Sequence, residues 1–180
     1  QGLNEAFPLH GTRSLYGATK LASEYIIQEY LEMYNLRGVI NRCGVITGPW
    51  QMGRVDQGVV VLWAARHVYG GNLNYIGFGG TGKQVRDILH IADLYNLIDV
   101  QIKMLDDISG EIFNVGGTEL NYTISGLGDI AKEVFPGVEI ITRQASADRR
   151  NYRLDFSKIE ERLGFRARVG VREGMIEIRN

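Results

Sequence analysis

Apolar and polar positions alternate along the chain in two periods, which divide it into helices and strands. From Tyr16 to about Asn35, the residues Leu21, Tyr25, Ile26, Tyr30, Leu31 and Tyr34 recur at three- and four-residue steps, the period of an amphipathic helix. Ser14 is its candidate cap, and Asn35 and Gly38 mark its end. Residues 1–13 hold Gly2, Pro8 and Gly11 without periodicity and read as loop. Gly38 to Ile46 is a β-rich run bounded by turn signals, so it reads as one buried strand that ends at Thr47-Gly48-Pro49. After a loop from Trp50 to Gln57, the run Gly58 to Tyr69 is long enough for a helix, with its valines leaving a strand as the alternative. Gly70-Gly71 stops it.

Leu73 to Ile76 predicts a short strand and Gln84 to Ile91 a second one, separated by the glycine-rich loop Gly77 to Lys83. A helix starts at Asp93 and runs through Leu94, Leu97, Ile98, Ile102 and Leu105. Glu111 to Val115 reads as a strand ending in Gly116-Gly117, followed by a helix from about Ser125 to Phe135 that Pro136-Gly137 breaks. Val138 to Thr142 is another strand, Asn151 to Leu154 an extended segment, Ser157 to Leu163 a short helix stopped by Gly164, and Arg172 to the end a last helix. Strands and helices alternate throughout, so the fold class is α/β, with helices covering a sheet.

Composition narrows the functional classes. With 180 residues, 44% hydrophobic and 23% charged, the chain falls in the soluble globular range and suits one domain or a domain and a half. A formal net charge of -1 gives no electrostatic footprint for a nucleic acid or an anionic membrane surface. Cys43 is the one cysteine, which excludes disulfide frameworks and cysteine-rich metal sites and suits a reducing cytoplasm. No apolar run approaches the ~18 residues of a membrane span, and no basic-then-apolar leader opens the sequence. A cytoplasmic protein is the default expectation. The chain opens Gln1-Gly2-Leu3-Asn4-Glu5, as if entered in mid-loop, and a fragment of a longer protein is expected.

Candidate chemistry is concentrated in two places. Tyr16 and Lys20 stand four residues apart on a predicted helix, so both side chains project from one face. An ammonium beside a phenol favours the phenolate, which makes such a pair usable in acid/base catalysis. On spacing alone, a surface Tyr and a solvated Lys that merely share a helix face are the commoner explanation, since the pattern is short and both residues are common. Further on, Arg86, Asp87 and His90 interrupt an apolar strand, where they are costly to bury unpaired. Arg86 suits a phosphate, although an ion pair with Asp87 or Asp93 would also explain it, and His90 reads most simply as a satisfied core histidine. Gly77 to Gln84 nearly spells a P-loop. Gln84 replaces the Mg²⁺-binding Ser or Thr, however, and a strand pattern follows where a helix should open, so the nucleoside-triphosphatase reading is set aside.

Five blocks, in order, carry a resemblance to a known family. Tyr16-Gly17-Ala18-Thr19-Lys20 is similar to the Tyr-x-x-x-Lys motif of the extended short-chain dehydrogenases/reductases, the nucleotide-sugar epimerases and dehydratases. Arg42 through Gly48-Pro49 resembles the strand and loop that follow it, and Arg86 through Asp93 resembles the Arg-Asp-hydrophobic-hydrophobic-His block. Phe113 to Gly117 and Leu154 to Lys158 match two later landmarks. Within the family, Gln51 to Gly58, Gly82 to Asp87, and Asp148 with Arg150 ahead of Asp155 are similar to the branch that epimerises a CDP-sugar. The chain departs from relatives at Val45, where several carry Asn, and at Ala145, where an Arg is usual and Arg143 could compensate.

The resemblance implies NAD as cofactor, with Tyr16 and Lys20 catalytic and Tyr16, Lys20, Arg42 and Cys43 at the cofactor. It implies a nucleotide-diphosphate sugar as substrate, a CDP-sugar favoured: Arg86 and Arg150 at the phosphates, Asp148 and Gln57 at the nucleoside, Lys83 and Gln84 in the loop around it, and His90 nearby. No metal is implied. Helices of the Tyr16–Tyr34 type often form dimer faces in this family, so a homodimer is expected. No glycine-rich dinucleotide turn precedes Tyr16, so the resemblance implies a C-terminal half, the end of a Rossmann-like parallel sheet interleaved with a small α/β nucleotide-sugar subdomain. Dehydratase or reductase chemistry, a nucleotide-sugar-binding module inactive by itself, and a structural fragment that binds neither ligand are the alternatives.

Overall fold

In the computed structural model, which describes residues 2–11, 14–53, 58–71, 73–75, 78–137, 140–142 and 151–180, the first element is helix α1 (Leu15–Met33). The Ser14 hydroxyl caps it by accepting the Gly17 N–H at 3.1 Å. Strands β1 (Ile40–Cys43) and β2 (Val45–Thr47) follow, then α2 (Val59–Tyr69), β3 (Leu73–Tyr75) and β4 (Val85–His90). Helices α3 (Ile91–Lys103) and α4 (Leu105–Ile108) lead to β5 (Ile112–Val115), β6 (Asn121–Thr123) and α5 (Ile124–Val134). The last elements are β7 (Ile140–Thr142), α6 (Ser157–Leu163) and α7 (Val171–Arg179).

The strand expected over Gly38 to Ile46 is two strands in two sheets. β1 runs parallel to β5, with Arg42 opposite Asn114, whereas β2 runs parallel to β4, with Val45 opposite Ile88. Gly44 is where the chain changes partner, and the space explains the residue: a Cβ there would stand 1.4 Å from Asp87 Oδ2. β4 also pairs antiparallel with β6, and β3 pairs parallel with β7. The β6 segment carries no strand signal of its own and forms by tertiary pairing, Arg86 lying opposite Tyr122. The stretch expected to be loop before Ser14 is extended at Leu3, which bridges to Leu154 and exchanges backbone bonds of 2.9 Å with Arg153 and Asp155.

Two hydrophobic clusters divide the molecule. One joins α2, β3, α5 and α7 through Val60, Trp63, Leu73, Leu127 and Met175. The other packs α3 and α6 against β5 through Leu97, Phe113, Val115, Phe156 and Ile159. The burial of Val60, Val61, Trp63 and Ala64 in α2 matches a helical stripe, so the strand alternative for that run does not hold. No residue of α1 is buried. Among the described residues, no helix is long and apolar enough to cross a membrane.

Candidate active site

Tyr16 and Lys20 do share a face of α1, with the Lys20 ammonium 5.8 Å from the centre of the Tyr16 ring. Tyr16 is 64% exposed. The helix is held to the sheet by Arg42: Nε donates to Glu24 Oε1 at 3.0 Å, Nη2 to Glu24 Oε2 at 2.7 Å, and Nη1 to the Glu5 carbonyl at 2.9 Å. Arg42 therefore works as a strut from β1 to α1, each of its three nitrogens committed within the protein. A bidentate pair of this kind fixes both distance and orientation. Beside it, the thiol of half-buried Cys43 is pushed above its ordinary range, first by burial and then by the charge of Asp87.

β4 carries the second group. The Arg86 guanidinium donates from Nη1 to the Val85 carbonyl at 2.7 Å and lies over the Tyr152 ring, 5.3 Å from its centre. Asp87 is 1% exposed, and among the described residues neither carboxyl oxygen has a hydrogen-bond partner, so no hydrogen bond supports the Arg86–Asp87 ion pair considered from sequence. Burial raises the Asp87 carboxyl above its ordinary value, outweighing the nearby Arg86 charge. Asp93 accepts the backbone N–H groups of Arg168 and Val169 at 3.0 and 2.8 Å, which ties α3 to the segment before α7.

His90 is the N-cap of α3. Its Nδ1 accepts the Ala92 N–H at 3.3 Å, and its Nε2 lies 3.0 Å from Glu177 of α7. His90 is buried, as the core reading expects, but its Nε2 makes no hydrogen bond among the described residues, so the ring is only half satisfied. Lys83 is exposed and Gln84 buried where the glycine-rich loop enters β4, and the carbonyls of Gly82 and Gln84 accept the Ser125 and Ile124 N–H groups at the start of α5. The loop leads into a strand, and its carbonyls satisfy the amides that open α5, an arrangement unlike a phosphate cradle. Gln57, Asp148 and Arg150, together with Arg143 and Ala145, lie outside the described residues.

The structure thus brings Tyr16 to Lys20 and adds Glu24, Glu5 and Tyr152, which the sequence reading did not single out. Glu24 was findable, because an Arg in a strand needs an acidic partner and Glu24 shares a helix face with Gly17, Leu21, Gln28 and Leu31. Among the described residues, no three His, Cys, Asp or Glu side chains gather in a way that could hold a metal ion.

Relatives share this arrangement of elements. The chain is 27% identical over 169 residues to the CDP-paratose 2-epimerase of Salmonella typhi, covering 90% of this chain and 49% of that protein. The crystal structure of a UDP-glucose 4-epimerase from Thermotoga maritima with UDP-glucose superposes with a TM-score of 0.85 at 24% identity, over 98% of this chain and 55% of that one. The dTDP-glucose 4,6-dehydratase DesIV from Streptomyces venezuelae, with NAD and TYD bound, gives a TM-score of 0.78 at 27% identity, over 99% of this chain and 53% of that one. The chain spans about half the length of these relatives. A sequence model of the NAD dependent epimerase/dehydratase family matches residues 2–116, and the chain belongs to that family.

Proposed function

We propose that this chain supplies the acid/base pair and the sugar-nucleotide side of an NAD-dependent nucleotide-sugar epimerase, with a CDP-sugar inverted at C2 as the favoured substrate. The observation that carries this reading is the Tyr16–Lys20 pair, exposed on a helix fixed to the sheet by Arg42 and Glu24. This donor set fits NAD by its chemistry: the Lys20 ammonium suits the ribose hydroxyls, Tyr16 the space between cofactor and sugar, and the strand at Arg42 and Cys43 the cofactor's far side. When bound, NAD would supply reversible hydride acceptance at a sugar carbon, so the cycle would have no net redox change. Tyr16 accepts the proton of the sugar hydroxyl and later gives it back. Lys20 stabilises the charge that develops on the phenol in that exchange.

On the substrate side, Arg86 and Arg150 take the diphosphate, Asp148 and Gln57 the nucleoside, and Lys83 and Gln84 the loop around it. His90 holds the turn from β4 into α3. The dinucleotide-binding half is expected elsewhere in the full protein, since the relatives are about twice as long. The exposed α1 residues Tyr25, Ile26, Tyr30, Met33 and Tyr34 line one groove and support a homodimer through that face. A dehydratase is the second reading, favoured by the same 27% identity to DesIV as to the CDP-paratose 2-epimerase.

Calorimetric titration of the chain with CDP, UDP and dTDP, and with NAD, tests the division of labour. Nucleoside-diphosphate binding with little NAD binding is the expected result. Failure to bind any of the three diphosphates overturns the substrate side. Product analysis with the complete protein separates a C2 epimer from a dehydrated 4-keto sugar.

A further inference from the structure

Trp50 stands where a tryptophan is doubly unfavourable. It is 98% exposed, and its backbone has φ 67°, the left-handed region that a bulky side chain enters only under strain. The loop around it is fastened at two points. The Gln51 side-chain amide donates to the Ile46 carbonyl at 3.1 Å, and Gly53 lies so close to α2 that a Cβ there would stand 2.7 Å from the Leu62 nitrogen. An indole that strains its own backbone and stays in water adds nothing to the stability of this loop. The tied loop instead presents it outward.

Its height along the sheet follows from α1 and β1, which run antiparallel side by side, Leu31 against Gly38 and Glu24 bonded to Arg42. From Glu24 back to Tyr16 the helix rises about 12 Å. From Arg42 forward to Ile46 the extended chain advances about 13 Å. Tyr16 is therefore level with Ile46, the residue whose carbonyl ties Gln51, and Trp50 is the neighbour of that tie. The loop also leaves the carboxyl ends of the parallel strands β2 and β4, the side on which α/β sheets take their ligands.

We infer that Trp50 is a specificity-determining residue that lays its indole face against the sugar ring of the nucleotide sugar. The base and diphosphate lie away from the reacting carbon, so a side chain level with Tyr16 meets the sugar. An aromatic face attracts the C–H groups of a pyranose without fixing them by directional hydrogen bonds, which suits a ring that must turn during epimerisation. This deepens the nucleotide-sugar reading and rests on it.

Fluorescence of the chain during titration with CDP-glucose, and with CDP as the sugar-free control, tests the inference while calorimetry records binding. Trp63, the second tryptophan, is 3% exposed in the core, so a ligand-dependent change reports Trp50. CDP-glucose is expected to shift the Trp50 emission to the blue, whereas CDP binds without moving it. Trp50→Leu weakens CDP-glucose binding about fivefold, the size of an aromatic stacking contact, and leaves CDP affinity and the thermal midpoint unchanged. Trp50→Phe, which keeps an aromatic face, stays within about twofold of the parent. If both ligands bind and the emission stays put, or Trp50→Leu binds CDP-glucose like the parent, the sugar platform is wrong and the nucleotide-sugar reading stands. If CDP alone moves the emission as far as CDP-glucose, the indole stacks on the base and the inference is overturned. If the chain binds neither ligand, the nucleotide-sugar reading falls and takes the platform with it.

Discussion

Helix α1 and strand β4 both carry residues assigned to chemistry, under opposite physical conditions. α1 buries no residue, and Leu15, Tyr16, Ile26 and Met33 are each more than half exposed. Its hold on the sheet comes from a half-buried stripe and the Arg42–Glu24 fork. In β4, Ile88, Leu89, Asp87 and His90 are all at 3% exposure or less, and the strand has neighbours on both sides. The difference separates function from stability: α1 can lose its chemistry without losing the fold, whereas most of β4 cannot be altered without affecting both.

The largest contrast lies between matched truncations. Leu89→Ala in β4 is expected to cost about 3 kcal/mol in chemical denaturation, from lost burial plus the cavity it leaves. Ile26→Ala in α1 is expected to change stability by less than about 0.5 kcal/mol, since 57% of that side chain is already in water. Equal costs at the two sites would erase the distinction between the regions. Next comes Tyr16→Phe. In the complete protein it is expected to lower turnover at least about 100-fold, equivalent to about 2.7 kcal/mol of barrier, with the denaturation midpoint unmoved. Near-normal turnover would remove Tyr16 from the acid/base role.

A third substitution probes the link between the regions. Arg42→Met breaks the fork that aims α1, leaves Glu24 without its partner, and is expected to cost about 2 kcal/mol. Because α1 is then held less firmly, turnover should fall as well, which distinguishes a strut from a bystander ion pair. A stability loss with unchanged turnover would show that α1 is aimed by its apolar stripe alone.

The sequence made most elements legible because their signals were local. The 3.6-residue period and the Ser14 cap located α1, and Ser157 to Leu163 matched α6 residue for residue. It missed what depends on the partner. β6 is three residues long and exists only by pairing with β4. The change of sheet at Gly44 depends on Asp87, forty-three residues away, filling the space that a side chain would need. At the candidate site, five motif blocks in order, more than the four-residue spacing, singled out Tyr16 and Lys20. The strut role of Arg42 and the ring beneath Arg86 required the fold, since Glu24 and Tyr152 meet their partners only across elements.

The smallest expected effect is a pH dependence of opposite sign in two carboxyl groups. Asp87 is raised above its ordinary value of 3.8, mainly by burial. Its contribution to stability is complete below that value and is lost as pH rises through the raised native value. Glu111 is lowered from its ordinary value of 4.5, first by the Arg162 hydrogen bond, then with help from Lys158 against some desolvation. Its contribution is complete above that value and is lost as pH falls through the lowered native value. Denaturation midpoints measured across these windows should therefore diverge. Asp87→Asn gains on the parent as pH rises from 3.8 and then levels off, whereas the deficit of Glu111→Gln shrinks as pH falls below 4.5. A flat difference for Asp87→Asn would mean that water reaches the carboxyl between Gly44 and Gly116, and β4 would then be less closed than α1's exposure makes it look by contrast.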